Sequence, residues 1–238
     1  MAGNNFKAPY NVDLVFCIDA TNSMTNLIKT VKKNAISFYK DLVEAMEKKH
    51  KKIDKLRIRI IAFRDFLADG EGAMLTTPFY DLPSDEKLFV NAVNAITAYG
   101  GGDDPEDGLE ALAYAMRSEW QPLGLKNRQI IVLWTDAGTH DLGYGRKASN
   151  YPAAMPKTFG ELSAYWANRP DQPGALMDYS SERLVLYAPE KPHWTTIFDN
   201  WANVLHFPSI AGNGLSELAY SEILETIVNS ITSGGNQQ

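Results

Sequence analysis

A chain of 238 residues with 45% hydrophobic and 22% charged side chains has the size and balance of one globular domain, which excludes fibrous and disordered chains. Twenty-nine acids against 23 bases give a net charge of -6, the wrong sign for a protein built to grip nucleic-acid phosphate. The single cysteine, Cys17, cannot close an internal disulfide, and the sequence shows neither a signal-peptide core nor an apolar run near the roughly 18 residues of a membrane span. The expectation is a cytoplasmic protein whose partner is neither nucleic acid nor membrane.

The run VDLVFCID at 12–19 is apolar on both faces and ends in an acid, as a buried parallel strand would. Met24, Leu27, Ile28, Val31, Ala35, Phe38, Leu42 and Met46 recur at steps of three and four, predicting one helix over 24–49. A second strand is expected at 56–63 and a short edge strand at 76–82. Ser84 opens an imperfect capping box, with Lys87 in place of Glu or Gln, before a helix at 84–97. After the turn Gly100-Gly101-Gly102-Asp103-Asp104-Pro105-Glu106 another helix runs to about Trp120. QIIVLW at 129–134 is a strand, ending in Thr135-Asp136-Ala137-Gly138. A strand at 184–187, a helix at 193–200, a strand at 204–207 and a helix at 215–231 complete the order.

Strands that alternate with helices, several of them apolar throughout, predict a doubly wound α/β domain. It has a mostly parallel central sheet, helices on both faces and one short antiparallel edge strand. The whole chain, 1–238, reads as a single domain with a frayed tail at 233–238. Residues 139–182 show no period and hold four of the twelve prolines. This irregular insertion is expected to form an ordered cover beside the ligand-binding rim, through Tyr144, Tyr151, Phe159, Tyr165, Trp166 and Tyr179, and to restrict which partner reaches it.

In such sheets ligands sit beyond the carboxyl ends of the strands. Asp19, Thr21 and Ser23 follow the first strand and Asp136 follows the later one, so all four fall on that rim. One carboxylate and two hydroxyls spaced two apart can turn three oxygens to one point, the donor set of a hard divalent cation. Without histidine or cysteine in these turns, a zinc site is not indicated. The plainer alternative is an ordinary strand–helix turn with capping side chains.

Here the chain resembles the von Willebrand factor A domain family, whose metal-ion-dependent adhesion site uses Asp-x-Ser-x-Ser after the first strand. This sequence reads Asp-x-Thr-x-Ser, and Asp136 matches the family's later Thr-Asp-Gly aspartate. The resemblance runs over about 12–231. It implies a vWA, Rossmann-like fold and a divalent cation, Mg²⁺ first with Mn²⁺ or Ca²⁺ as alternatives. The implied ligands are Asp19, Thr21, Ser23, Asp103 and Asp136, with a partner's Asp or Glu completing the metal. The family's remaining ligand is a threonine in a Gly-Gly-Thr turn. Counting from the glycines puts Gly102 or Asp103 in its place, with Asp103 favoured, whereas counting back from Ala111-Leu112 puts Glu106 there. An extra carboxylate would make the site less attractive to an acidic ligand.

The function expected is a non-enzymatic, metal-dependent protein-interaction module, and the standalone form suggests a bacterial cytoplasmic source. The competing readings are a phosphatase-type metal hydrolase and an interaction domain whose metal is only structural. The hydrolase would need an acid where Thr21 stands. Asp104 before Pro105 reads as a helix N-cap, Arg64 and Asp65 as an exposed loop pair, His140 as a loop residue, and Cys17 as an inert small hydrophobe.

Overall fold

The computed structural model describes residues 8–101, 104–121 and 126–233. Its centre is a seven-stranded sheet: β1 (Tyr10–Asp19), β2 (Ile53–Phe63), β3 (Met74–Thr76), β4 (Tyr80–Leu82), β5 (Asn127–Trp134), β6 (Glu182–Ala188) and β7 (Val204–Pro208). The order is β3-β2-β1-β5-β6-β7, with β4 also on β2. β1, β2, β5, β6 and β7 pair in parallel. The edge strand foreseen at 76–82 forms as two antiparallel pieces, β3 and β4. Thr77 stitches the gap between them, its N donating to Ile60 O and its Oγ1 accepting from Ile60 N.

Among the described residues eight α-helices flank the sheet: α1 (Thr25–Asn34), α2 (Phe38–Lys48), α3 (Phe66–Asp69), α4 (Glu86–Ala95), α5 (Gly108–Met116), α6 (Phe159–Tyr165), α7 (Trp194–Asn200) and α8 (Tyr220–Thr232). α1, α2, α4 and α8 cover one face, and α5, α6 and α7 the other. The single helix expected over 24–49 is broken at 35–37. Asn34 Nδ2 bonds Thr30 O and Ser37 Oγ bonds Asn34 O, so side chains there compete for helical carbonyls. The apolar stripe survives the break, because Leu27, Ile28, Ala35, Phe38, Leu42 and Met46 are all buried. The capping box at 84–87 does not form. α4 starts from Asp85, whose carboxylate instead accepts Asp81 N. α5 stops at Met116, four residues short of Trp120, whose indole N–H covers the freed Met116 carbonyl.

Residues 139–182 differ most from expectation. Met155, Leu162, Trp166 and Met177 are buried in the core with Leu109, Leu112, Trp194 and Trp201. Thr158 caps α6 by accepting Glu161 N, and Trp166 Nε1 donates to Ala202 O. The aromatic side chains expected to shield the rim thus largely complete the hydrophobic layer beneath it. Among the described residues, no helix is long and apolar enough to cross a membrane.

Candidate functional site

β1 and β5 are neighbours in register, Ile18 opposite Trp134, so the turns after them emerge side by side. Asp19 is buried and fully bonded. Its Oδ1 accepts Thr21 N (2.9 Å) and Thr21 Oγ1 (2.7 Å), and its Oδ2 accepts Thr135 Oγ1 (2.7 Å). Thr21 Oγ1 lies 3.2 Å from Ser23 Oγ, which donates to Asp136 Oδ1 at 2.9 Å. The backbone N–H of Gly214 holds Asp136 Oδ2 at 2.7 Å. Asp19, Thr21, Ser23 and Asp136 therefore form one hydrogen-bonded chain of oxygens.

Thr135 and Gly214 fix this chain from outside it. Thr135 stands beside Asp136 in sequence, and its hydroxyl could have been weighed with the others. Gly214 has φ +62°, and a Cβ there would lie 2.0 Å from Ser23 O, so only glycine lets the chain return this close. No local pattern marks it.

An open cleft of about 240 Å³ is lined by Thr21, Ser23 and Asp136, with Asp19 buried behind them, and has Gly101, Asp104, Glu106 and Gly212 among its other walls. Gly101 has φ +78°, and a Cβ would meet Glu106 Oε1 and Thr21 at 2.9 Å. Glu106 is 4% exposed, and its Oε2 is buried without a hydrogen-bond partner. Burial, then the nearby Asp19, Asp65, Asp69 and Asp107, push its carboxyl up to about 9. Burial lifts Asp19 to about 6 against the pull of its bonds from Thr135 and Thr21, with Asp136 adding repulsion. Asp103 and Gly102, the first choices from the glycine count, lie outside the described residues.

Several neighbouring readings change. Asp104 does not cap a helix: α5 begins at Gly108, and Asp104 Oδ1 instead accepts Gly138 N at 2.7 Å while Oδ2 pairs with Lys191. Arg64 is fully buried rather than an exposed loop residue. Its guanidinium donates to the carbonyls of Ala20, Tyr99, Gly72 and Thr97 and lies 3.8 Å over the Tyr99 ring, knitting the loops behind the rim. Asp65 caps α3 and meets His140 Nε2 at 2.9 Å, and both are buried. Sequence position alone does not reveal this, since the enclosing groups come from three distant segments. Cys17 is buried in the sheet, where its thiol pKa is raised by desolvation, in keeping with an inert side chain.

Among the described residues no group of three or more His, Cys, Asp or Glu converges as a metal would need. The rim set mixes carboxylates with hydroxyls instead. Its all-oxygen chemistry and the unpartnered Glu106 oxygen fit a hard divalent cation.

A family model described as von Willebrand factor A domain matches residues 13–147, a stretch that holds both rim turns. The alpha-protein kinase vwkA of Dictyostelium discoideum is 30% identical over 150 residues, 63% of this chain and 22% of that protein. The chain thus spans about a fifth of that relative's length. Among solved structures, the pilus adhesin SpaC from Lactobacillus rhamnosus GG is similar with a TM-score of 0.52. At 12% identity over 94% of this chain and 31% of that one, the likeness is one of fold alone.

Proposed function

The chain belongs to the von Willebrand factor A domain family, and on that premise we propose that it is a protein-interaction module whose rim cleft holds a divalent cation, Mg²⁺ before Mn²⁺ or Ca²⁺. The observation that supports this reading is the hydrogen-bonded chain that links buried Asp19 to Thr21, Ser23 and Asp136, the last three lining one cleft. Their oxygens would hold the ion, with Thr135 and the Gly214 N–H orienting the two carboxylates. The ion supplies a positive centre that accepts an oxygen from a partner.

In this proposal Glu106 takes the place of the family's threonine, because of the two described acids of the glycine turn that line the cleft it keeps a carboxylate oxygen unpartnered, whereas Asp104 is bonded to Gly138 and Lys191. Asp103, the ligand favoured by counting, would reinforce it. A third carboxylate offsets more of the cation's charge. A partner's Asp or Glu could then complete the metal only weakly, and a neutral amide or hydroxyl oxygen becomes the better donor.

The test is calorimetric titration of Mn²⁺ and Mg²⁺ into the wild-type chain, Asp19→Ala and Glu106→Thr, together with capture of partners with Mg²⁺ or EDTA. Asp19→Ala should weaken metal binding at least tenfold, and EDTA should abolish capture. Glu106→Thr should strengthen binding of acetate to the metal-loaded chain. Equal metal affinity in Asp19→Ala, with capture undiminished by EDTA, sinks the metal reading.

A further inference from the structure

At the sheet edge farthest from β3, β7 is paired on one side only among the described residues. Leu184 N donates to Asn203 O and Ser209 N donates to Ala188 O. The alternation between those bonds turns the backbone of Leu205 and Phe207 toward β6, and that of Val204 and His206 toward the outer edge. Leu205 and Phe207, on the α8 side of the strand, are 40% and 39% exposed, and Ile210 just beyond β7 is 65% exposed. Such clustering of apolar surface is the mark of a contact site rather than of scattered exposure.

Beside this edge an open groove of about 600 Å³ runs between β7 and α8. Its floor is apolar, with Phe207 stacked on Tyr187 at 4.9 Å. Its wall carries Glu217, Glu222 and Glu225, and among the described residues none of the three forms an ion pair. The groove therefore offers apolar contact below, glutamates without an ion pair on one side although Glu222 accepts Ala219 N and Glu217 accepts Asn213 Nδ2, and, among the described residues, a strand edge with unpaired backbone groups.

We propose that this edge binds an extended segment of a partner protein that adds as a strand to β7 and carries basic side chains opposite Glu222 and Glu225. Backbone pairing to Val204 and His206 supplies affinity, and the side chains at every second position, which share the groove's face, supply selection: an apolar one on Phe207, with lysine or arginine two residues away on the glutamate wall. A second copy of this chain is the poorer occupant, since two-fold pairing of β7 would bring one glutamate wall against the other.

The probe is a fluorescein-labelled nonapeptide with lysine and valine taking turns at its odd positions and threonine at its even ones, titrated into the full chain and read by anisotropy, with the same peptide carrying glutamate for lysine as control. The lysine peptide should bind, the glutamate peptide at least tenfold more weakly, and binding should persist in EDTA. Glu222→Lys/Glu225→Lys should weaken it at least tenfold. Leu205→Lys, an exposed change that leaves the backbone intact, should weaken it severalfold, and hydrogen exchange at the His206 amide should slow in the complex. Equal binding of both peptides, indifference to the glutamate reversals, or dimerisation through β7 in sedimentation would overturn the proposal. A metal-free rim cleft would leave it untouched.

Discussion

Two sets of buried acids lie close together, and they are satisfied differently. At the rim, every carboxylate oxygen of Asp19 and Asp136 accepts a hydrogen bond, from Thr21, Thr135, Ser23 or Gly214. At the start of α5 and just before it, Glu106, Asp107 and Glu110 each keep one buried oxygen without a partner. Bonded carboxylates are held in a fixed orientation, as a cation site requires. Unbonded ones in low dielectric hold protons until a counter-charge arrives. Glu106 stands between the two sets: it faces the rim cleft but titrates like the inner acids.

The largest expected effect comes from removing Arg64, whose bonds knit the loops behind the rim. Arg64→Ala would remove a buried side chain and its bonds to four backbone carbonyls, that of Ala20 buried and those of Tyr99, Gly72 and Thr97 part-buried, at a cost of about 3–5 kcal/mol by chemical denaturation. A loss below about 1 kcal/mol would show that the loops do not depend on this guanidinium.

The inner set predicts a pH dependence. Burial, with Glu110 next, lifts Asp107 to about 8 against the bond from Phe66 N, well above its unfolded value near 4. The folded state then binds more protons than the unfolded one between those values. Stability contributed by this group is full at about pH 4 and is lost as pH rises toward 8, by at most about 1.4 kcal/mol per unit. Asp107→Asn should flatten the slope of unfolding free energy over that window. A profile unchanged by the substitution would mean that Asp107 is ionised in the fold.

The rim predicts the opposite response to its polar partners. Thr135→Val removes the donor to Asp19 Oδ2 and should cost about 1–3 kcal/mol, partly recovered on adding Mg²⁺. An equal loss with and without added Mg²⁺ would assign Thr135 a purely structural part. The smallest effect concerns acid: because Asp19 is raised to about 6, apparent Mg²⁺ affinity should fall as pH drops through 6, up to tenfold per unit. A calorimetric affinity flat from pH 7 to 5 would place Asp19 outside the metal's ligands.

Periodicity made the architecture legible where burial is two-sided or follows one stripe. The runs that became β1, β5 and β6 read as strands because each is apolar throughout, and the α1–α2 stripe held its phase across a break the pattern could not show. The break depends on hydroxyl and amide groups choosing carbonyls, a local competition invisible to apolar spacing. Residues 139–182 lacked a period because their buried side chains serve one face of a core from irregular backbone, one or two at a time.

Sequence by itself determined the alternating α/β order, the placement of Asp19, Thr21, Ser23 and Asp136 on one rim, and the oxygen chemistry available there. Strand ends and short spacings fix those properties, and both are written locally. Tertiary structure alone decided that Glu106 faces the cleft, that Asp104 binds Gly138 instead of starting a helix, and that Arg64 and His140 are enclosed. Each of those outcomes turns on which distant backbone or carboxylate lies within about 3 Å, and hydrogen bonding and desolvation act through space rather than along the chain.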